Sequence, residues 1–211
     1  MAGEPTNRKP DAPLVVGLGG TTREGSSTEL ALRYALKEAE KAGAHTILFN
    51  GPSLMMPMYA PEVPHRTAEA RELIAALRAA DGIVIASPAY HGSISGLVKN
   101  ALDYTEDMRN DAAAYLDGRA VGCITCAYGP QAAGTTLVAL RSIVHALRGW
   151  PTPLGVGINS LTCRFSPNGG PSDGAVGDQL KIMATQVTQG AFAMRGGLAA
   201  AKEPDRLVSA S

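Results

Sequence analysis

Short apolar runs alternate along this chain with segments whose apolar residues recur every three or four positions. The first run, Leu14, Val15, Val16 and Leu18, is apolar at nearly every position and suits a strand buried on both faces of a parallel sheet. Over 29–41 the spacing changes to Leu30, Ala31, Tyr34, Ala35 and Glu38, a helical period, with Ser26, Ser27 and Thr28 as N-cap residue types before it. The alternation then repeats. It predicts a strand over 45–49 after Gly43, an amphipathic helix over 66–80, and a buried strand over 82–86. A helix follows with Leu97, Val98, Ala101, Leu102 and Tyr104 on its apolar side. Past the turn Asp117-Gly118-Arg119 come a strand over 120–127 and a long helix to Arg148, stopped by Gly149 and Pro151. A short strand over 153–158, a glycine-rich loop over 168–177 and a helix over 178–194 complete the pattern. Residues 1–12, polar and proline-bearing, are expected to form a tail, 13–196 a single domain, and 197–211 a second tail.

Strands that alternate with helices predict an α/β fold with right-handed crossovers. Five of each suit a flavodoxin-like, doubly wound, five-stranded parallel sheet of order 2-1-3-4-5 with helices on both faces. In that arrangement the ligand crevice lies at the carboxyl ends of the first and third strands, where the strand order reverses. The two most unusual loops of the sequence follow those two strands.

The first loop runs from buried strand to helix N-terminus and aims free backbone N–H groups, with the helix dipole behind them, at one point. No Gly-Lys-Ser/Thr closes it, so it is not a Walker loop. As a dinucleotide fingerprint it fails too, because Thr22 stands where Gly17 and Gly19 call for a third glycine. Hydroxyls at Thr21, Thr22, Ser26, Ser27 and Thr28, with Arg23 as the one cation, suit a terminal phosphate monoester such as the tail of flavin mononucleotide. A capped strand–helix turn without a ligand is the alternative. The second loop, Ser87-Pro88-Ala89-Tyr90-His91-Gly92-Ser93-Ile94-Ser95-Gly96, follows the third strand.

Composition narrows the function classes. Formal net charge is zero and aromatic content is 5%, which argues against a nucleic-acid partner. No apolar run reaches the length of a membrane span and the N-terminus lacks a signal-peptide core, so no membrane partner and a cytoplasmic location are expected. Cys123 and Cys126 fall in one strand on opposite faces and read as core; with Cys163 they make an odd count and no disulfide framework. His45, His65, His91 and His145 lack paired metal-ligand spacing, so no metal is expected. The segment over 50–64, with four prolines and three methionines, reads as an active-site wall, a dimer contact, or methionines packed by chance.

The two loops also carry a family resemblance. Gly20-Thr21-Thr22-Arg23-Glu24-Gly25-Ser26-Ser27-Thr28 is similar to the pattern Gly-Ser-x-Arg-x-Gly-Ser-x-Asn, and Pro88 to Asp103 to Pro-Glu-Tyr-Asn-Gly-Ser-Ile-Pro-Gly-x-x-Lys-Asn-Ala-x-Asp. Both belong to the NADPH-dependent FMN reductase family, whose members include quinone, azo-dye and chromate reductases. The resemblance covers about Leu14 to Ile158 and implies a flavodoxin-like fold, FMN as cofactor and NADPH or NADH as co-substrate. By position it implies that Thr21, Arg23, Ser26, Ser27 and Thr28 hold the FMN phosphate. Pro88, Ala89, Tyr90, His91, Gly92 and Ser93 then line the isoalloxazine edge, and Tyr128 and Gly129 approach its pyrimidine end. Lys99, Asn100 and Asp103 are expected to orient the helix and its loop. A homodimer or homotetramer is implied as well.

Three positions depart from the family pattern: Thr28 for Asn, Ala89 for Glu, and His91 for Asn. His91 is the one candidate catalytic residue, as a donor to the ring or a proton source, with a plain hydrogen-bonding substitute for Asn as the alternative. The leading expectation is an FMN-dependent oxidoreductase passing hydride from NAD(P)H to a small acceptor such as a flavin or quinone. One alternative is an FMN-dependent dehydrogenase of a small cyclic metabolite, with electrons passed to oxygen or another acceptor. The other is an electron-transfer flavodoxin, against which the neutral charge speaks.

Overall fold

The computed structural model describes residues 11–166 and 170–201. Its strands are β1 (Leu14–Gly19), β2 (His45–Asn50), β3 (Gly82–Tyr90), β4 (Ser93–Ile94), β5 (Ala120–Ala127), β6 (Trp150–Pro151) and β7 (Val156–Asn159). Its helices are α1 (Ser27–Lys41), α2 (Ala68–Ala79), α3 (Gly96–Asp103), α4 (Pro130–Ala146) and α5 (Gly174–Ala201), with 3-10 turns at Gly51–Leu54 and Tyr104–Met108. The tail expected over 1–12 lies outside the described residues except for Asp11 and Ala12. The loop expected over 168–177 is described only from Gly170. Helix α5 starts four residues before the expected 178 and runs through 197–201, where the sequence predicts the start of a tail.

The sheet runs β2-β1-β3-β5-β6, all parallel, with β7 also parallel to β5. β6 pairs the start of β5 (Ala120 with Trp150) and β7 its end (Ala127 with Asn159). Together they occupy the place of the expected fifth strand. The expectation of one strand over 153–158 is corrected on this point. Pro151 and Pro153 have no N–H to donate, so the edge strand breaks between its two halves. A seventh strand, β4, is the return arm of a hairpin on β3.

Period two in the strands sorts the core into two layers. Val16, Leu18, Ile83, Ile85, Val121 and Cys123 face α2, α3 and α4, packing on Leu73, Leu77, Val98, Leu102, Leu140 and Val144. Val15, Val84, Ala86, Ile124 and Cys126 face α1 and α5, packing on Leu32, Leu36, Leu180, Met183 and Val187. Each fully buried Leu or Ile contributes about 2 kcal/mol by removal from water. The close approach of α1 fixes one residue type outright: a Cβ on Gly17 falls 2.6 Å from Leu36 Cδ1. Cys123 and Cys126 lie on opposite faces as expected, both buried and free.

Three helix starts are capped by hydroxyls. Ser26 Oγ accepts from Glu29 N–H (3.2 Å), Thr67 Oγ1 from Ala70 N–H (3.3 Å) and Ser95 Oγ from Val98 N–H (3.3 Å). The first and third of these caps sit at the carboxyl edge of the sheet, beside the two loops singled out in the sequence.

Candidate active site

Strand β1 ends in Gly19, where the chain must turn away from β3 without a side chain. Its φ is +140°, and a Cβ there falls 1.9 Å from the Ala86 carbonyl oxygen. Gly20 follows at φ +89° and donates its N–H to the same carbonyl at 3.1 Å. Beyond it Thr21 Oγ1 accepts Arg23 N–H (3.1 Å), folding the loop on itself. Ser26 Oγ caps α1. The loop therefore presents Thr21, Arg23, Ser26, Ser27 and Thr28 around the positive end of a 15-residue helix.

The third strand is longer than its apolar run. β3 continues through Ser87, Pro88, Ala89 and Tyr90, and β4 pairs back on it, Ala89 with Ile94 and Tyr90 with Ser93. The expected plain loop is thus a hairpin. His91 and Gly92 form its tip at φ +52° and +81°, the two positive values of a type I′ turn. Buried Ser87 ties both arms together: its Oγ accepts Ser95 N–H at 2.9 Å and donates to Pro88 O at 2.8 Å.

These pieces enclose one cleft of about 290 Å³ at the carboxyl ends of β1, β3, β5 and β7. Thr21, Arg23, Ser26, Ser27 and Thr28 line one end; Pro88, Ala89, Tyr90 and Tyr128 line the rest, together with Cys126, Ala127 and Ser160. Tyr90 and Tyr128 stand at its mouth, 53% and 72% exposed. Nine of the thirteen residues expected at the site therefore meet in one place. His91, Gly92 and Ser93 do not line the cleft but form the exposed end of the hairpin, and Gly129 is the N-cap position of α4.

Cys126, Ala127 and Ser160 were not expected there. The signal for Cys126 was its place at the carboxyl end of a strand, in register with Pro88. Being core and being wall are compatible at that position. Burial pushes its thiol up to about 12, against the opposing effect of the Thr28 and Ser160 hydroxyls that hydrogen-bond it. The thiol is uncharged at neutral pH, so the cleft floor carries no anion there.

The 50–64 segment does not line this cleft. Met56 packs into the core, whereas Met55 and Met58 are exposed. Buried Asn100 holds the segment: its Oδ1 accepts Tyr59 N–H at 2.8 Å and its Nδ2 donates to Pro57 O at 2.9 Å. Tyr104 Oη donates to Pro57 O as well, at 3.1 Å. Lys99 and Asp103 pair along α3 at 2.6 Å. Lys99 and Asp103 thus serve the helix alone, and Asn100 holds the 50–64 segment rather than the loop before α3.

Fold and cleft define a flavodoxin-like α/β protein with an anion-favouring end to its carboxyl-edge crevice. The family model of NADPH-dependent FMN reductases matches residues 13–160, and the chain belongs to that family. FMN is the cofactor of the family and NAD(P)H its reductant. A curated relative, the NADPH azoreductase of Bacillus sp. (strain OY1-2), is 33% identical over 91 residues, 43% of this chain and 48% of that protein. The match spans about half of that relative's length. Among solved structures, the flavoenzyme NAD(P)H:(acceptor) oxidoreductase FerB from Paracoccus denitrificans superposes with a TM-score of 0.70 at 16% identity, covering 85% of this chain and 97% of that one. An oxidoreductase from Corynebacterium diphtheriae gives 0.63 at 20% identity, with 86% and 97% covered. At these identities the structural likeness is one of fold.

The donor set fits FMN. A phosphate monoester needs several donors and some positive charge, and hydroxyls, Arg23 and a helix N-terminus supply both. A flat ring needs an apolar wall, and Pro88, Ala89, Tyr90, Ala127 and Tyr128 supply one. Among the described residues, no cluster of His, Cys, Asp or Glu could hold a metal ion. No helix among them is long and apolar enough to cross a membrane.

Proposed function

We propose that this chain is an FMN-dependent oxidoreductase that moves electrons from NAD(P)H to a small acceptor of the flavin or quinone type. The observation that carries the proposal is the meeting, in one cleft, of the hydroxyl-and-arginine loop with the Pro88–Tyr90 arm and Tyr128.

Thr21, Arg23, Ser26, Ser27 and Thr28 would hold the phosphate, and Pro88, Ala89, Tyr90 and Tyr128 the ring. His91, Gly92 and Ser93 contribute through the hairpin that carries Tyr90, and Gly129 through the entry to α4. When bound, FMN would supply the chemistry, two-electron transfer between nicotinamide and acceptor. The chain supplies position. Ser87 fixes the hairpin arm, the N-capped α1 fixes the phosphate end, and the neutral Cys126 keeps negative charge off the floor. No side chain need act as acid or base, so His91 is assigned no proton step. The uncovered mouth between Tyr90 and Tyr128 leaves room for donor and acceptor to use the site in turn. A homodimer or homotetramer, supported by the family resemblance, completes the proposal together with a single domain over 13–196 and a cytoplasmic setting.

The test is anaerobic mixing of the FMN-loaded protein with NADPH, followed at the flavin absorbance band. Rapid bleaching, and recovery on adding a quinone, is the expected result. A protein that holds FMN and stays yellow with both NADPH and NADH overturns the reductase reading and directs the search to an organic donor.

A further inference from the structure

Glu29 is 3% exposed and is the third residue of α1, directly behind the phosphate loop. Its carboxylate joins three elements. Oε2 accepts Gly25 N–H at 2.9 Å. Oε1 accepts Asn50 Nδ2–H at 2.8 Å and Arg33 Nε–H at 2.8 Å, with Arg33 Nη2 also at 2.8 Å. Gly25 belongs to the exposed loop and holds φ +68°. Asn50 ends β2, and its own N–H is held by Ser53 Oγ at 2.9 Å.

For phosphate binding, charge alone argues against a carboxylate here. A buried anion at a helix N-terminus occupies the positive potential that a phosphate needs. Arg33 offsets that charge on the same helix, four residues on. What remains is geometry: the carboxylate anchors the loop through Gly25 N–H and braces it against the sheet through Asn50.

We infer that Glu29 is a positioning residue for the phosphate site, with Arg33 as counter-charge and Asn50 as brace. It holds the 21–26 segment in its receiving shape, and this outweighs its repulsion of the phosphate. The inference rests on the FMN reading above.

Its test combines FMN titration by fluorescence quenching with hydrogen–deuterium exchange of the FMN-free chain. Glu29→Ala is expected to raise the Kd for FMN about tenfold. It is also expected to speed exchange of amides 21–27 while β3 and β5 keep their rates. Glu29→Gln, which keeps one oxygen able to accept Gly25 N–H, returns the Kd to within about threefold of the unaltered chain. Where Glu29→Ala does not fold, Arg33→Met, at a half-exposed side chain, leaves the carboxylate uncompensated and raises the Kd about fivefold or more. An alanine variant that binds FMN as tightly as the unaltered chain, or more tightly, overturns the inference. So does faster exchange in β3 and β5 along with the loop, or an unchanged Kd in Arg33→Met. An unaltered chain that does not bind FMN defeats the parent reading instead.

Discussion

Arg66 meets Asp107 at two points, Nε to Oδ2 at 2.7 Å and Nη2 to Oδ1 at 2.9 Å, across 41 residues of chain. The same guanidinium donates through Nη1 to Ala60 O and Val63 O and lies 4.7 Å from the centre of the Tyr59 ring. One side chain thus clasps the far end of the 50–64 segment, while Asn100 holds its middle. The bidentate geometry separates this pair from ordinary surface ion pairs.

Asp107 should make stability depend on acid. The Arg66 hydrogen bonds, against the opposing effect of burial, hold its carboxyl below the ordinary value of 3.8. A carboxylate with a lower pKa folded than unfolded binds fewer protons when folded. Its contribution is whole above the ordinary value and is lost as pH falls through the lower one. Asp107→Asn leaves the partly buried guanidinium short of its partner, a loss of about 2 kcal/mol at neutral pH. Thermal melts should show a drop of about 4–8 °C at pH 7 that shrinks towards pH 3. A drop of equal size at both pH values would remove ionisation of Asp107 from the explanation.

Gly19 should be the least replaceable residue of the first loop. At φ +140°, with the Ala86 carbonyl 1.9 Å from an added Cβ, alanine must displace either β1 or β3 at the crevice itself. The expected loss is about 3 kcal/mol or more, with FMN binding lost in whatever folds. By contrast a Cβ on Gly92 meets nothing within 4 Å, so Gly92→Ala suffers only the φ +81° strain, about 1–2 kcal/mol. Denaturant unfolding of both variants ranks them; a milder Gly19 variant would contradict the steric argument.

Among the described residues Arg23 is the one cation lining the cleft, and it is exposed. Its expected role is towards phosphate alone. Arg23→Ala should weaken FMN binding about tenfold, and riboflavin, which lacks the phosphate, should bind unchanged. Equal weakening of both would move Arg23 from the phosphate to the ring. The salt dependence of FMN affinity should flatten in the variant.

The sequence made much of this legible because its strongest signals are local. The apolar run at 14–18, the hydroxyl cap at the start of the first helix and the strand–helix alternation each follow from neighbouring residues, and each stands in the structure. What it hid is decided between segments. The β3–β4 hairpin looked like a loop because Ser87 to Tyr90 lacks an apolar run, and its pairing depends on partners across the turn. Cys126 and Ser160 meet at the cleft only through the register of β5 with β7. The two-part edge strand reflects prolines acting on a ladder that the sequence does not display.

Cys123 and Cys126 should resist alkylation. Burial pushes each thiol up to about 12, leaving almost no thiolate at pH 8. Intact protein mass after iodoacetamide at pH 8 should show neither residue modified until denaturant is added. Cys126 borders the cleft, so modification there alone, suppressed by FMN, would reveal a more open floor than the structure shows.

His91 should prove a turn residue. It sits at the tip of the hairpin at φ +52°, where Asn, Asp and His are the side chains best tolerated, and it does not line the cleft. His91→Asn should therefore keep both the fold and turnover with NADPH and a quinone within about twofold. The pH profile of kcat decides the matter. If His91 delivered a proton, the profile of the unaltered enzyme would carry an ionisation limb that the variant lacks. The expected result is superimposable profiles, because a side chain held outside the cleft by its own turn has no proton to deliver within it.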